Sequence, residues 1–251
     1  MRRLFPDPVD DVDLNEAYAP EAVLPGPFVR LNMISSLDGA ISVDGRSGPL
    51  GGSADRRVFV AIRSHADVIL VGAGTARAEG YGPARVSPAD EAVRAARGQE
   101  PQPRIAVVSG SLRLDWSSPF FTEAHARPAV VTTSAAVASA PDAARAVAEF
   151  VAVGEERVDL AAALAVFADE GARTVLVEGG PGVNGDLARA RLIDELCLTV
   201  SPRVVGGEGA RIMAGPPFDP PFAPVVGHIL EEDGFLFLRM SLREAPEPPD
   251  A

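Results

Sequence analysis

The chain has 251 residues, 47% of them hydrophobic, and a formal net charge of −12 at pH 7. That is enough apolar material for one large or two small domains, and the acidic balance argues against nucleic acid or anionic membranes as partners. A single cysteine, Cys197, excludes an internal disulfide framework and a thiolate zinc cluster, and the absence of lysine excludes Schiff-base chemistry and a GK[ST] phosphate loop.

In chain order, residues 1–27 carry five prolines and read as an irregular arm. Its start has no apolar h-region, and no later stretch nears the ~20 apolar residues of a membrane span, so a cytoplasmic protein is expected. Phe28 to Ser35 forms the first expected core strand, turned by Ser36-Leu37-Asp38-Gly39 and continued by Ala40-Ile41-Ser42. After a glycine-rich loop, Ser53 caps a helix whose Val58, Ile62 and His65 mark a buried stripe. Asp67 to Val71 reads as a second strand running into Gly72-Ala73-Gly74-Thr75, and a long polar loop with a short helix near Glu91 to Arg97 follows. Strands are expected at Ile105 to Ser109, Ala129 to Thr132 and Phe150 to Val153, with a helix opening at Pro141 and another from Leu160 to Asp169. Thr174-Val175-Leu176-Val177 reads as a buried strand ending in Glu178 and a Gly-Gly-Pro-Gly turn, before a helical pattern at Leu187, Arg189 and Leu192. Leu192 to Pro202 forms the next strand, and Asp233-Gly234 between two apolar runs signals a closing hairpin. Alternating strands and helices predict one α/β domain over residues 28–243, mostly parallel, with an antiparallel C-terminal hairpin and a frayed tail at 244–251.

Strand, glycine turn and helix is how a backbone presents free N–H groups to a phosphate at the carboxyl edge of a sheet, although a plain connection with glycines for geometry reads the same way. Gly72-Ala73-Gly74 fails as a dinucleotide fingerprint because Arg77 stands where the third glycine belongs. The histidines His65, His125 and His228 are scattered, which argues against a metal, and there is no Gly-x-Ser-x-Gly elbow. Glycine turns, hydroxyls, arginines and two acids, Asp55 and Glu178, suit a phosphorylated cofactor and protonation of a small polar substrate.

Five stretches carry a family likeness: NMISSLDGAISVDGRSG from Asn32, SADRRVFVAIRSHADVILVGAGTARAEGYGP from Ser53, RIAVVSG from Arg104, VLVEGGPGVNGDL from Val175 and IDELCLTVSPRVVGG from Ile193. In this order and spacing the chain resembles the reductase domain of the bifunctional riboflavin-biosynthesis deaminase/reductase, and still more the stand-alone pyrimidine-reductase-like proteins of actinobacteria. The resemblance implies a dihydrofolate-reductase-like α/β fold with helices on both faces of a mostly parallel sheet, NADPH as hydride donor, and a homodimer. It places Ser36, Thr75, Glu79 and Ser109 along the cofactor, and wraps Gly179, Gly180, Pro181, Gly182, Val183, Asn184 and Gly185 around its diphosphate. Arg77 is our own candidate for the 2′-phosphate, an exposed helix arginine being the plainer alternative. Asn32, Asp38, Ser47, Arg63 and Glu178 are implied to face the substrate.

The departures from that pattern carry information. The deaminase half's His-x-Glu and Pro-Cys-x-x-Cys do not occur in the 251 residues. The family's usual lysine is Asn32 here, and its tryptophan near Pro49 is missing. Asp55 is an addition, at a place comparable to the acid that binds and helps protonate the pterin ring in dihydrofolate reductases. The expectation is an NADPH-dependent reductase of a pyrimidine- or pterin-type substrate, resembling 5-amino-6-(5-phosphoribosylamino)uracil reductase, with Asp55 and Glu178 as catalytic acids. A dihydrofolate-reductase-like activity and a non-catalytic NADP-binding protein are the alternatives.

Overall fold

The computed structural model describes residues 1–20 and 26–243. In chain order the elements are β1 (Arg2–Phe5), α1 (Leu14–Ala17), β2 (Phe28–Ser36), α2 (Ser53–Ser64), β3 (Val68–Gly72), α3 (Ala73–Glu79), α4 (Pro88–Ala96), β4 (Arg104–Val108), α5 (Pro119–Thr122) and β5 (Ala129–Thr132). They continue with α6 (Ser134–Ala138), α7 (Asp142–Val147), β6 (Glu149–Ala152), α8 (Leu160–Asp169), β7 (Thr174–Val177), α9 (Pro181–Arg189), β8 (Glu195–Ser201), β9 (Val225–Glu232) and β10 (Phe235–Ser241).

The strands form one sheet in the order β1-β9-β10-β8-β2-β7-β3-β4-β5-β6. From β8 to β6 all neighbours are parallel, while β10 runs antiparallel to β8 and β9. Parallel strands must be covered on both faces, and the apolar side chains divide accordingly. Leu31, Leu70, Val131 and Val177 pack with Leu164 and Phe167 of α8 and Leu187 of α9. On the other face Ile69, Val71, Val107 and Leu176 pack with Val58 and Ile62 of α2 and with Phe120 and Phe121. Local chemistry sets the ends: Asp159 caps α8 by accepting the Ala162 N–H at 3.0 Å, and the two-residue turn Asp233-Gly234, both at positive φ, closes the hairpin.

The arm departs from expectation. Arg2–Phe5 is an edge strand paired antiparallel with β9, not irregular chain. Behind it, a buried and a half-buried arginine share one buried carboxylate: Arg30 Nε and Arg239 Nε donate to Glu195 at 2.5 and 2.6 Å. The same guanidinium groups donate to the carbonyls of Tyr18 and Ala17, which fastens the arm to the sheet. Ala40-Ile41-Ser42 is not a strand, the helix expected near Glu91 starts at Pro88, and two short helices stand where one was expected after Ala129–Thr132. The tail at 244–251 lies outside the described residues. Among the described residues no helix is long and apolar enough to cross a membrane.

Candidate active site

Because β7 sits between β2 and β3, the chain returning from α8 brings Glu178 and its glycines to the middle of the sheet's carboxyl edge. That is where an open α/β sheet leaves a crevice. A cleft of about 1020 Å³ opens there, bounded by the loop after β2, one face of α2, the start of α3 and the start of α9. Its volume matches sites for cofactor-sized ligands.

The Glu178 turn is packed through its glycines. Gly72 N–H donates to Gly179 O at 2.7 Å, and Gly179 has φ +93°, a conformation open to glycine. A Cβ on Gly180 would collide with Thr75 Oγ1. The helix begins at Pro181, six residues earlier than the apolar pattern suggests, so Gly182 and Gly185 lie within its first turns. The nine-residue α9 starts at the cleft, which Gly180 and Pro181 line, and a Cβ at Gly182 would meet nothing within 4 Å. This edge therefore fits a diphosphate.

Glu178 is nearly buried and saturated with donors. Arg63 Nε and Nη2 donate to its two oxygens at 2.7 and 2.6 Å, and Tyr81 Oη donates at 2.8 Å. The Arg63 guanidinium also lies 4.2 Å from the Phe59 ring centroid. Burial, then the neighbouring Glu178 charge, pushes the Tyr81 phenol well above its ordinary range. A fork-paired carboxylate of this kind is an anchor, and the proton-donor role expected for Glu178 does not suit it.

Asp55 stands one turn before Phe59 and two before Arg63 on the same side of α2. Burial raises its carboxyl above the usual range, opposed by a hydrogen bond with the Thr199 hydroxyl of β8. No arginine pairs with it among the described residues. Glu79 lines the cleft and accepts the Ser47 backbone N–H at 2.8 Å, so it also holds the loop after β2 in place. Asn32 and Thr75 line the cleft as well.

Other expected site residues are placed elsewhere. Ser36 and Asp38 close a turn on themselves: Ser36 Oγ donates to Asp38 at 2.5 Å, and Asp38 accepts from Val205 N–H and Gly206 N–H. Those bonds, led by the one from Ser36, lower the Asp38 pKa to about 2. Asp38 lines a second cavity of about 550 Å³ together with Gly206, Gly207, Arg211 and Ile212, and it does not line the first cleft. Arg77 lies on the outer side of α3 and donates to Arg113 O at 2.9 Å. Ser109 is buried just beyond β4, outside the cleft lining. Asn184 and Gly185 face residues 212–214: Asn184 Nδ2 donates to Ile212 O at 2.7 Å, and a Cβ on Gly185 would collide with Ala214 O. Val183 packs toward Gly72.

Sequence reasoning missed Phe59, Tyr81, Thr199, Arg56 and Arg85. Arg56 and Arg85 line the cleft. The i, i+4, i+8 spacing of Asp55, Phe59 and Arg63 was the available signal for one helix face turned to a ligand.

The family profile described as the RibD C-terminal domain matches residues 27–225. The chain belongs to this family. Within it, 2,5-diamino-6-ribosylamino-4(3H)-pyrimidinone 5′-phosphate reductase of Archaeoglobus fulgidus is 31% identical over 185 residues, 72% of this chain and 83% of that protein. Among solved structures, a pyrimidine reductase-like protein from Corynebacterium diphtheriae superposes with a TM-score of 0.81 at 24% identity, covering 93% of this chain and 100% of that one. The Thermotoga maritima diaminohydroxyphosphoribosylaminopyrimidine deaminase/5-amino-6-(5-phosphoribosylamino)uracil reductase gives 0.67 at 20% identity, over 86% of this chain and 56% of that one. At those identities the two structures speak for the shared fold. The RibD C-terminal domain thus supplies the mixed α/β architecture, and the cleft sits at its carboxyl edge.

Proposed function

We propose that the cleft is the active site of an NADPH-dependent reductase acting on a ribosylaminopyrimidine phosphate. The observation that carries this reading is the convergence of a glycine-built helix start with a polar substrate wall in one crevice. Thr75, Gly179, Gly180 and the first turn of α9 would hold the dinucleotide. When bound, the nicotinamide supplies hydride. Substrate chemistry fits the remaining wall. Arg56 offers a forked donor to a phosphate, Arg85 beside it already donates to Glu123 at 3.0 Å, and the aromatic faces of Phe59 and Tyr81 suit a flat ring. Glu178 ties the Arg63 side chain and the Tyr81 hydroxyl to the strand end, and the Arg63 guanidinium lies over the Phe59 ring.

The ribosylamino sugar opens to a C=N form, and reduction places hydride on that carbon and a proton on the nitrogen. Two proton sources reach the open cleft: water, and Asp55, the acid without a guanidinium partner among the described residues. NADPH absorbance loss that requires the diaminopyrimidinone phosphate supports the reading. Tight NADPH binding with no oxidation by any pyrimidine or dihydropterin would favour a non-catalytic role.

A homodimer accompanies this proposal. Val200 and Leu236, and Leu198 and Leu238, pair across β8 and β10 on one face, and all four remain half-buried, a composition suited to covering by a second copy. Sedimentation at micromolar concentration tests it, and a strictly monomeric chain would contradict it.

A further inference from the structure

The family profile matches from residue 27, and the arm before it is not part of the matched domain. Yet the arm touches α2, the helix that carries Asp55, Phe59 and Arg63 to the cleft. Asp13 caps α1 by accepting the Asn15 and Glu16 N–H groups. Asn15 then meets the carboxyl end of α2: its Oδ1 lies 3.1 Å from Ser64 Oγ, and its carbonyl lies 2.9 Å from His65 Nε2. Ser64 directly follows Arg63, whose guanidinium holds Glu178. At the other end of the same segment Tyr18 is buried, edge-on to the His228 ring at 5.2 Å.

Two buried histidines therefore face the arm, and neither is built to take a second proton. Arg97 Nη1, just after α4, donates to His65 Nδ1 at 2.9 Å. A guanidinium only donates and a carbonyl only accepts, so Nδ1 is bare and Nε2 carries the hydrogen toward Asn15 O. A proton added to Nδ1 would stand against a cation. The other charges acting on this ring, Arg30 of β2 and Arg239 of β10, are cations too. Around the same turn Arg94 of α4 donates to the Ser64 and Ala66 carbonyls, and Gln99 bridges the His65 carbonyl to Asp67. His228 of β9 is faced by Arg3 of β1, by Arg30 and Arg239, and by one carboxylate, Glu195 of β8, which the last two arginines already share. Its Nε2 is buried with no hydrogen-bond partner among the described residues. Both rings are stable here only when neutral.

We propose that residues 13–19 form a proton-released clasp on α2, closed while both rings are neutral and opened by acid while the sheet stays folded. Lifting this one segment gives water to both rings and to the arginines that repel them. The segment holds a four-residue helix and one buried side chain, Tyr18, so it opens more readily than the sheet. Opening takes the partner from Ser64 and His65 and slackens the last turn of α2, which carries Arg63 to Glu178. Acid thereby loosens the cleft wall. That consequence rests on the reductase reading; the opening itself does not.

Hydrogen exchange followed by mass spectrometry from about pH 7 to about pH 4.5, corrected for the intrinsic pH dependence of exchange, tests the clasp. Residues 13–19 and 64–66 should lose at least about tenfold in protection across that range, while β2, β3 and β7 keep theirs. In His65→Gln/His228→Phe an amide donor still reaches toward Asn15 and a ring still meets Tyr18, but nothing titrates, so the arm should stay protected in acid. Arg97→Met removes the cation at Nδ1 and should move the opening up by about one pH unit. An arm that stays protected throughout, that opens only together with the sheet, or that opens equally in the double variant would overturn the inference. If the double variant does not fold, an opening unmoved in Arg97→Met does so alone.

Turnover over the same range separates the clasp from the reading beneath it. A KM that rises with the opening in the wild type and stays flat in the double variant ties the clasp to the cleft, and a KM that ignores the opening would overturn that link. Opening without turnover at any pH would sink the reductase reading and keep the clasp.

Discussion

Replacing Gly182 by alanine should make the free protein slightly more stable and its NADPH complex distinctly weaker. Gly182 is exposed in the first turn of α9, and an added Cβ meets nothing within 4 Å. Alanine restricts the unfolded backbone and favours helix, a gain of about 0.5 kcal/mol this close to a helix end. For a chain of this size, that raises Tm by roughly 1–2 °C. The same methyl stands where a diphosphate must approach the first-turn N–H groups. Lengthening one charge-assisted hydrogen bond loses about 1.5 kcal/mol, a roughly tenfold weaker Kd. At an NADPH concentration a hundred times the wild-type Kd, ligand stabilisation would fall from about 2.7 kcal/mol to about 1.4 kcal/mol. Thermal melts with and without NADPH, backed by fluorescence titration, read both effects. An unchanged Kd in Gly182→Ala would show that the helix start does not grip the cofactor.

Other substitutions probe the scaffold around the cleft. Arg63→Met strips Glu178 of its charge partner at a side chain that is 2% exposed, so a loss of about 3 kcal/mol, or roughly 6–12 °C in Tm, is expected. The double variant Arg63→Met/Glu178→Leu should recover most of it, and failure to do so would count against the pair's electrostatic role. Gly185→Ala should destabilise by about 1–3 kcal/mol, since its Cβ meets backbone at Ala214 and neither side is a flexible chain end; a neutral melt would refute the docking of residues 212–214. Because burial raises the Asp55 carboxyl in the folded state, its contribution falls as pH rises through the folded value and is a net cost at neutral pH. Asp55→Asn should therefore raise Tm at neutral pH, and a lowered Tm would contradict the cause assigned to the shift. Burial, first among the causes, also lowers His65 and His228 from 6.5 to about 4. Their folded values lie below the unfolded one, so stability drains as pH falls from about 6.5 to 4, by up to about 3 kcal/mol per ring. A flat Tm across that window would show that neither ring is buried neutral.

Much of the fold was legible because its signals are local. Leu160–Asp169 is the helix expected from its apolar run, with Asp159 and Gly171 at its ends. The Asp233-Gly234 hairpin needs positive φ at both turn residues, which that dipeptide tolerates. The edge strand Arg2–Phe5 was not legible, because its polar residues become a strand only through pairing with Ile229–Glu231 at the far end of the chain. The start of α9 was misplaced because glycines inside a first helical turn look like a loop. Within the site, Glu178, Arg63, Asp55, Thr75 and Ser47 came from motif and resemblance and do line one cleft. Asp38 was drawn away by Val205 and Gly206, residues that no local pattern links to it. Tyr81, Arg56 and Arg85 emerge only when the packing decides which side of a helix or loop faces the crevice.

The central claim is that nicotinamide and a ribosylaminopyrimidine phosphate meet in this cleft. Deuterium transfer measures it directly: NADPH labelled at the nicotinamide C4 is incubated with the protein and the diaminopyrimidinone phosphate, and the product is weighed by mass spectrometry. One deuterium on the former C=N carbon of the sugar is the expected result. An unlabelled product, or labelled NADPH left intact beside untouched substrate, would contradict it.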